Sequence, residues 1–473
     1  KWYFQGTSLD ALRSLANPSF RRKKCVENTF PVCGSCSRLN LQCVRDSKRQ
    51  VVKPKDPPGT STQLVEAALG PPQPTLTHDW DCLGFSKDSE PQKRRHAMRY
   101  YISVLADYLT ISKQHNSFTS AFVPMAIESP ALANALIAYS ADHLSDINES
   151  YSSTSVRARS QSLTALASNI TGQCSDIASR EADVAASLVL LTSEVCHGNY
   201  AAWYHHLVGA KNMILSTNPV DHSGDAVQKG SDAFKSSPEG RWVLRNFAYH
   251  DILGTVTMET APLIDASYLQ DMKDGIDTYL GVAVEILIYI SRISTLAVET
   301  SESSTNSLED CLRLEQQLST WHPSTPSPPE LVQVALAYRS AALIYLYRLV
   351  RLRCSEGPYS TLIEGFEAKI SRSVTETLTH VSAVPVGDVP ESSLLFPLFI
   401  AGGECNDSQQ MEAIRNRLHA MSTKRRFHNI IRASDILESL WETRNRLVGQ
   451  GLGVCIDWKD FVNVQGEGGL LLT

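Results

Sequence analysis

At 473 residues, with 42% hydrophobic and 20% charged residues, the chain is too long for one small module and too apolar to be disordered throughout. Its formal net charge of −6 excludes a polyanion-binding surface spread over the whole molecule, but not one confined to a segment. Such a segment exists: between Arg21 and Lys55 ten Lys and Arg residues are opposed by Glu27 and Asp46 alone.

Residues 1–20 show no clear period, because Asn17-Pro18 interrupts the pattern begun by Leu9, Leu12 and Leu15, and they stay unassigned. Residues 21–45 form a cysteine module. Residues 46–77 are polar and rich in proline (Lys53-Pro54-Lys55, Asp56-Pro57-Pro58-Gly59, Gly70-Pro71-Pro72), a composition that buries no core and reads as a linker.

From residue 78 to 473 the pattern is helical, giving a mainly α chain with one large all-helical domain of one or two lobes. Met98, Tyr101, Ile102, Leu105 and Leu109 follow the i, i+3, i+4, i+7 rule. Ser129-Pro130 is a cap followed by proline, opening a helix over Ala131 to Leu144. Val184, Leu188, Leu191 and Val195 make another stripe, Tyr200 to Leu215 a further one, and Trp242 to Met258 follows a polar loop. Tyr279 to Val298 is the longest apolar stretch, but Glu285 and Arg292 mark it as a buried helix rather than a membrane span. Ser327-Pro328-Pro329-Glu330 combines a capping box with proline in the first turn, and further helices are expected over Tyr359 to Val381, Gln409 to Met421 and Ser434 to Leu447. Lys424-Arg425-Arg426 reads as a solvated helix start, with nuclear import as the alternative. No sustained heptads follow the cysteine module, so dimerisation through a coiled coil has no support there.

Eleven cysteines divide into four at Cys25, Cys33, Cys36 and Cys43 and seven that are scattered. The odd total and the absence of a secretory leader pattern favour a reducing compartment, where closely spaced thiols bind metal instead of pairing. A C-x7-C-x2-C-x6-C frame suits zinc, whose filled d-shell accepts a tetrahedron of soft thiolates.

Arg21-Arg22-Lys23-Lys24-Cys25, Pro31-Val32-Cys33-Gly34-Ser35-Cys36 and Cys43 together resemble the fungal six-cysteine binuclear zinc-cluster transcription factors. The resemblance implies double-stranded DNA as partner, with the basic run on a short helix in the major groove. By this likeness Lys23 and Lys24 read bases, Arg21 and Arg22 contact phosphates or bases, and Arg38 is a weaker phosphate contact. The family spacing asks for two more cysteine ligands where Leu15 and Pro18 stand. In the family the first and fourth ligands bridge two zinc ions, so two ions cannot be held as the chain is written. Three explanations stay open. The chain begins with Lys1 and no initiator methionine, which fits a C-x2-C half replaced by another segment. Alternatively the four cysteines hold one zinc ion, or the module has decayed and the helical domain acts alone.

The order of Glu194-Val195-Cys196-His197-Gly198-Asn199, Trp203-Tyr204-His205-His206-Leu207-Val208-Gly209-Ala210, Phe247-Ala248-Tyr249-His250-Asp251 and Leu395-Phe396-Pro397-Leu398-Phe399-Ile400-Ala401-Gly402-Gly403 is similar to the fungal-specific transcription factor domain of the second type. That likeness implies regulation and association, without catalytic residues. Taken by themselves, Trp203, Phe247 and Tyr249 are core aromatics, and Gly209, Gly402 and Gly403 suit close helix packing or a cap. Cys196-His197, His205-His206 and His250-Asp251 are sequence neighbours about 100° apart on a helix, which is poor geometry for a catalytic pair. No P-loop, nucleotide fingerprint, nucleophile elbow or H-E-x-x-H motif is present. The expectation is a nuclear, zinc-dependent DNA-binding regulator of RNA polymerase II transcription and not an enzyme. Its expected partners are the transcription machinery and a second copy of the chain, with no membrane. The competing class is a helical interaction protein without DNA binding of its own.

Overall fold

The structure is a computed structural model describing residues 89–171, 176–199, 201–217, 229–273, 275–299, 304–323, 326–354, 360–450, 456–462 and 469–473, all within a compact unit running from Gly84 to Thr473. It is mainly helical, and among the described residues the sole β feature is an isolated bridge between Asp277 and Gly281.

The first half of the unit contains α1 (Glu90–Tyr100), α2 (Ala106–Leu109), α3 (Ser117–Ser120), α4 (Phe122–Glu128), α5 (Pro130–Ser145), α6 (Ser152–Thr171), α7 (Ile177–His197), α8 (Trp203–Leu215) and α9 (Pro238–Met258). The second contains α10 (Val284–Val298), α11 (Ser304–Thr320), α12 (Pro329–Cys354), α13 (Ser360–Ser382), α14 (Leu395–Glu404), α15 (Ser408–Arg425), α16 (His428–Gly449) and α17 (Lys459–Val462).

Local chemistry places many of these boundaries. Ser129 Oγ accepts from the Leu132 amide at 3.2 Å with Pro130 behind it, as the sequence predicts for α5. Asp176 caps α7 through the Ser179 amide, and Ser237 caps α9 through the Gly240 amide at 2.8 Å.

Two expected elements are altered. The helix expected from Tyr279 begins at Val284, because Asp277 Oδ1 accepts from the Tyr279 and Leu280 amides at 2.8 and 3.0 Å and holds a turn there. The stripe from Met98 to Leu109 is broken by a π-helical turn, Tyr101–Leu105, between α1 and α2. That extra residue per turn rotates the face, so Tyr100 and Tyr101 are both buried while Ile102 is 43% exposed.

α7 is the axis of the first half. Every residue from Glu181 to Cys196 is buried, far more than the single stripe read from the sequence, because α5, α8, α9 and α16 all pack on it. In the second half α12 is surrounded by α10, α11, α13 and α14, and all ten residues of α14 are buried. Gly403 allows this. A Cβ there would stand 2.5 Å from Trp458 Cδ1, and one at Gly402 2.7 Å from Leu437 Cδ1. α6 and α11, which the sequence reading does not find, are amphipathic helices rich in Ser, Thr, Gln and Leu rather than in bulky apolar residues.

One apolar cluster continues from Ala97 to Leu472. Trp203, Phe247 and Tyr249 lie in it, as expected. Its aromatic centre has Phe118 5.3 Å from Trp242, Trp242 5.5 Å from Tyr279, and Tyr279 stacked on Tyr249 at 4.2 Å between ring centroids.

Candidate functional site

The sequence-predicted DNA-contacting residues Arg21, Arg22, Lys23, Lys24 and Arg38, and the zinc ligands Cys25, Cys33, Cys36 and Cys43, lie outside the described residues. Within the described residues no group of three or more His, Cys, Asp or Glu side chains is arranged to hold a metal ion.

The helical body has two cavities of note. A small one of about 30 Å3, the space of a single water, is lined by Thr192, Cys196, His250, Tyr279, Asn429 and Thr473 among others. His250 Nδ1 is 3.1 Å from Thr473 Oγ1 and its Nε2 is 3.4 Å from the Tyr279 hydroxyl. Burial lowers the imidazole to about 3, so it stays neutral, and burial pushes the Cys196 thiol up to about 12. The nearest polar partner of Cys196 is the Tyr139 hydroxyl, which donates to the sulfur at 3.3 Å. A thiol so protonated, beside a phenol rather than a base, is a packing group and not an activated nucleophile. Asp251, raised by burial to about 7, faces away and accepts from the Leu263 and Ile264 amides at 3.0 and 3.3 Å.

The larger cavity, about 380 Å3, is an open groove between α10, α11 and the 3-10 turn Ala266–Met272. Its walls carry Arg292 and Arg313 against Asp265 and Asp310, so the lining is close to neutral.

Three buried ionic networks hold the helices in place. Glu391, fully buried, sits between Arg425 (Oε2 to Nη1, 2.8 Å) and Arg417 (Oε1 to Nε, 3.0 Å). Arg425 also donates to the Asp388 carbonyl at 3.3 Å, and its own carbonyl lies 2.7 Å from His143 Nε2. The basic run Lys424-Arg425-Arg426 is thus the end of α15, not a solvated helix start. The left-handed Arg426 (φ 55°) closes the helix, and Arg425 is turned inward. The second network joins Arg348 to Asp457 (2.7 and 2.9 Å) and Glu404, with Arg351 on Glu404 at 2.9 Å and the Arg348 guanidinium 4.9 Å from the Trp458 ring. Burial acts most strongly and would raise the Asp457 carboxyl, but the Arg348 charge, the hydrogen bonds from Arg348 and the Lys459 amide, and the Lys459 charge together hold the group below the usual range. In the third, Arg159 of α6 reaches Asp142 at 2.8 Å and Glu194, tying α6 to α5 and α7. None of these partners is close in sequence, which is why spacing does not reveal them.

What the body offers is therefore a rigid helical scaffold with a groove. The profile described as fungal specific transcription factor domain matches residues 96–473, four-fifths of the chain. The chain belongs to this family. Within it, this member is similar to the transcriptional activator protein UGA3 of Saccharomyces cerevisiae, 23% identical over 500 aligned residues that cover 89% of this chain and 91% of that protein. That share of the chain is longer than the stretch from Gly84 to Thr473, so the similarity reaches into the residues before Gly84. It is also similar to an uncharacterized transcriptional regulatory protein of Schizosaccharomyces pombe, 20% identical over 303 residues that cover 60% of this chain and 53% of that one. No solved structure matches. No described helix is long and apolar enough to cross a membrane.

Proposed function

We propose that this fungal transcription factor family member is a nuclear regulator of RNA polymerase II transcription that binds double-stranded DNA through the basic module at Arg21 to Cys43. The observation that carries the reading is the pairing of a body matched over residues 96–473 with a run of four cations immediately before a four-cysteine frame. Phosphate neutralisation by the basic segment supplies most of the affinity and Lys23 and Lys24 the base selection, with Arg21, Arg22 and Arg38 on the backbone.

The donor set fits one zinc ion. Cys25, Cys33, Cys36 and Cys43 are four thiolates for one tetrahedron, whereas two ions would need the cysteines that Leu15 and Pro18 replace. Bound zinc is structural, and it contributes on the order of 10 kcal/mol to folding of such a module. The helical body associates with the transcription machinery.

The same two positions favour the second reading, an interaction protein whose cysteine module no longer binds DNA. Selection of preferred sites from random duplexes by the zinc-loaded full chain separates the two. Enrichment of one sequence supports the regulator, and Lys24→Ala then weakens that site by roughly tenfold or more while barely changing binding to random DNA. No enrichment, or equal losses on both DNAs, removes Lys24 as a base reader and leaves the interaction protein.

A further inference from the structure

α6 is an outer helix of 20 residues, packed chiefly on α5, with one face turned to solvent. Along that face Val156 is 69% exposed, Leu163 44% and Ile170 55%, each seven residues after the last. Ser160 and Ala167, also exposed, fall between them. Spacings of 4, 3, 4 and 3 residues at about 100° per residue put all five within an arc of about 80°. This is a coiled-coil seam on the surface of the body.

The seam is also depleted of charge. From Ser160 to Thr171 twelve consecutive residues carry none, although about a quarter or more of the residues on a soluble surface are charged. Charge depletion with apolar knobs marks the core of an interface. Two features select what covers it. Large residues (Val156, Leu163, Ile170) alternate with small ones (Ser160, Ala167), so an antiparallel copy centred near residue 165 sets Leu163 against Ala167 and Ile170 against Ser160. Arg157, exposed, stands beside one end of the seam. Antiparallel pairing keeps the two copies of Arg157 about 24 Å apart, whereas parallel pairing sets Arg157 against Arg157.

We propose that the exposed face of α6 is a homodimer surface, formed by two copies of α6 packed antiparallel across a two-fold axis near residue 165. An interface of this symmetry is self-complementary and closed, so it stops at two copies. A helix of this length presents a strip of about 30 by 10 Å. That is below the roughly 800 Å2 per partner of a standard stable interface, so α6 alone gives a weak dimer. The surface is separate from the basic module, and the proposal stands whether or not the chain binds DNA.

Sedimentation velocity of the full chain from about 1 to 100 micromolar tests it, the range in which contacts of about 6 to 8 kcal/mol are seen. The expected result is a monomer–dimer equilibrium with a midpoint in the tens of micromolar. Leu163→Glu, at an exposed position, raises the dissociation constant at least tenfold and leaves helicity and melting temperature unchanged. A photoreactive amino acid at position 163 cross-links two copies. The same group at position 156 does not reach residue 156 of the second copy, because the two lie about 27 Å apart along the antiparallel helices. A monomer throughout the range, association indifferent to Leu163→Glu, a cross-link from position 156 onto residues 152–160 of a second copy, or capture of residues 1–88 of the same chain from position 163 would overturn the proposal.

Discussion

Glu391 is a carboxylate with no solvent contact, held between the buried Arg417 and Arg425. Burying two guanidiniums is tolerable only while that carboxylate is there. Glu391→Ala is therefore expected to cost about 3–5 kcal/mol in urea unfolding, the range for leaving a buried ion without its partner. His250 and Asp251 give a second, pH-dependent test. His250 is depressed from 6.5 to about 3, so the unfolded chain takes up its proton first and stability falls as pH drops from about 6.5 toward 3. Asp251 is raised from 3.8 to about 7, so the folded chain holds its proton longer and stability falls as pH climbs from about 4 to 7. The two slopes oppose one another where the windows overlap. His250→Gln is expected to make stability decline more steeply as pH rises from 4 to 6.5, and Asp251→Asn to make it rise more steeply over the same interval, as followed by urea midpoints at fixed pH values.

Helices are seated through contacts that a propensity argument does not contain. The start of α9 is the clearest example. Ser237 Oγ accepts from the Gly240 amide and donates to Glu181 of α7 at 2.6 Å, so one hydroxyl caps one helix and satisfies a carboxylate on another. Gly240 must be glycine there, since a Cβ would stand 2.2 Å from the Phe234 carbonyl oxygen and 2.5 Å from Glu181 Oε1. The carbonyl belongs to backbone and cannot rotate away. Gly240→Ala is expected to destabilise the body by about 3 kcal/mol. Ser237→Ala should cost at least the roughly 1 kcal/mol of an ordinary lost cap. Chemical denaturation of the two variants side by side checks both the size and the order. The π turn after α1 belongs with these cases, since it lets Tyr100 and Tyr101 enter the core together and sends Ile102 outward.

Taken whole, the chain separates charge. With ten cations between Arg21 and Lys55, the remainder carries an acidic excess larger than the net −6, so the body repels a polyanion that the basic segment attracts. The body is organised around its own continuous apolar cluster and, among the described residues, has no cluster of metal-ligating side chains. Removing zinc from the full chain with a thiolate-competing chelator is accordingly expected to abolish site-selective DNA binding and to leave the main helical melting transition where it was. A joint loss of helicity would show that the body depends on the metal.

Helical class, the starts of α12, α13 and α15 and the core roles of Trp203, Phe247 and Tyr249 were legible from the order of residues, because caps, prolines and apolar periods act within one or two turns of chain. The four cysteines and the cations before them were equally visible, since ligand spacing is local chemistry. The Glu391 triad, with its inward turn of Arg425, and the Arg348–Asp457 link join residues 26 to 109 positions apart, and nothing in the intervening sequence marks them. The same holds for α6. Its seven-residue repeat is written in the sequence, yet Val184, Leu188, Leu191 and Val195 of α7 repeat just as regularly and are buried. Which stripe is core and which is surface depends on how many neighbours pack around each helix, and that is decided only when the chain is folded.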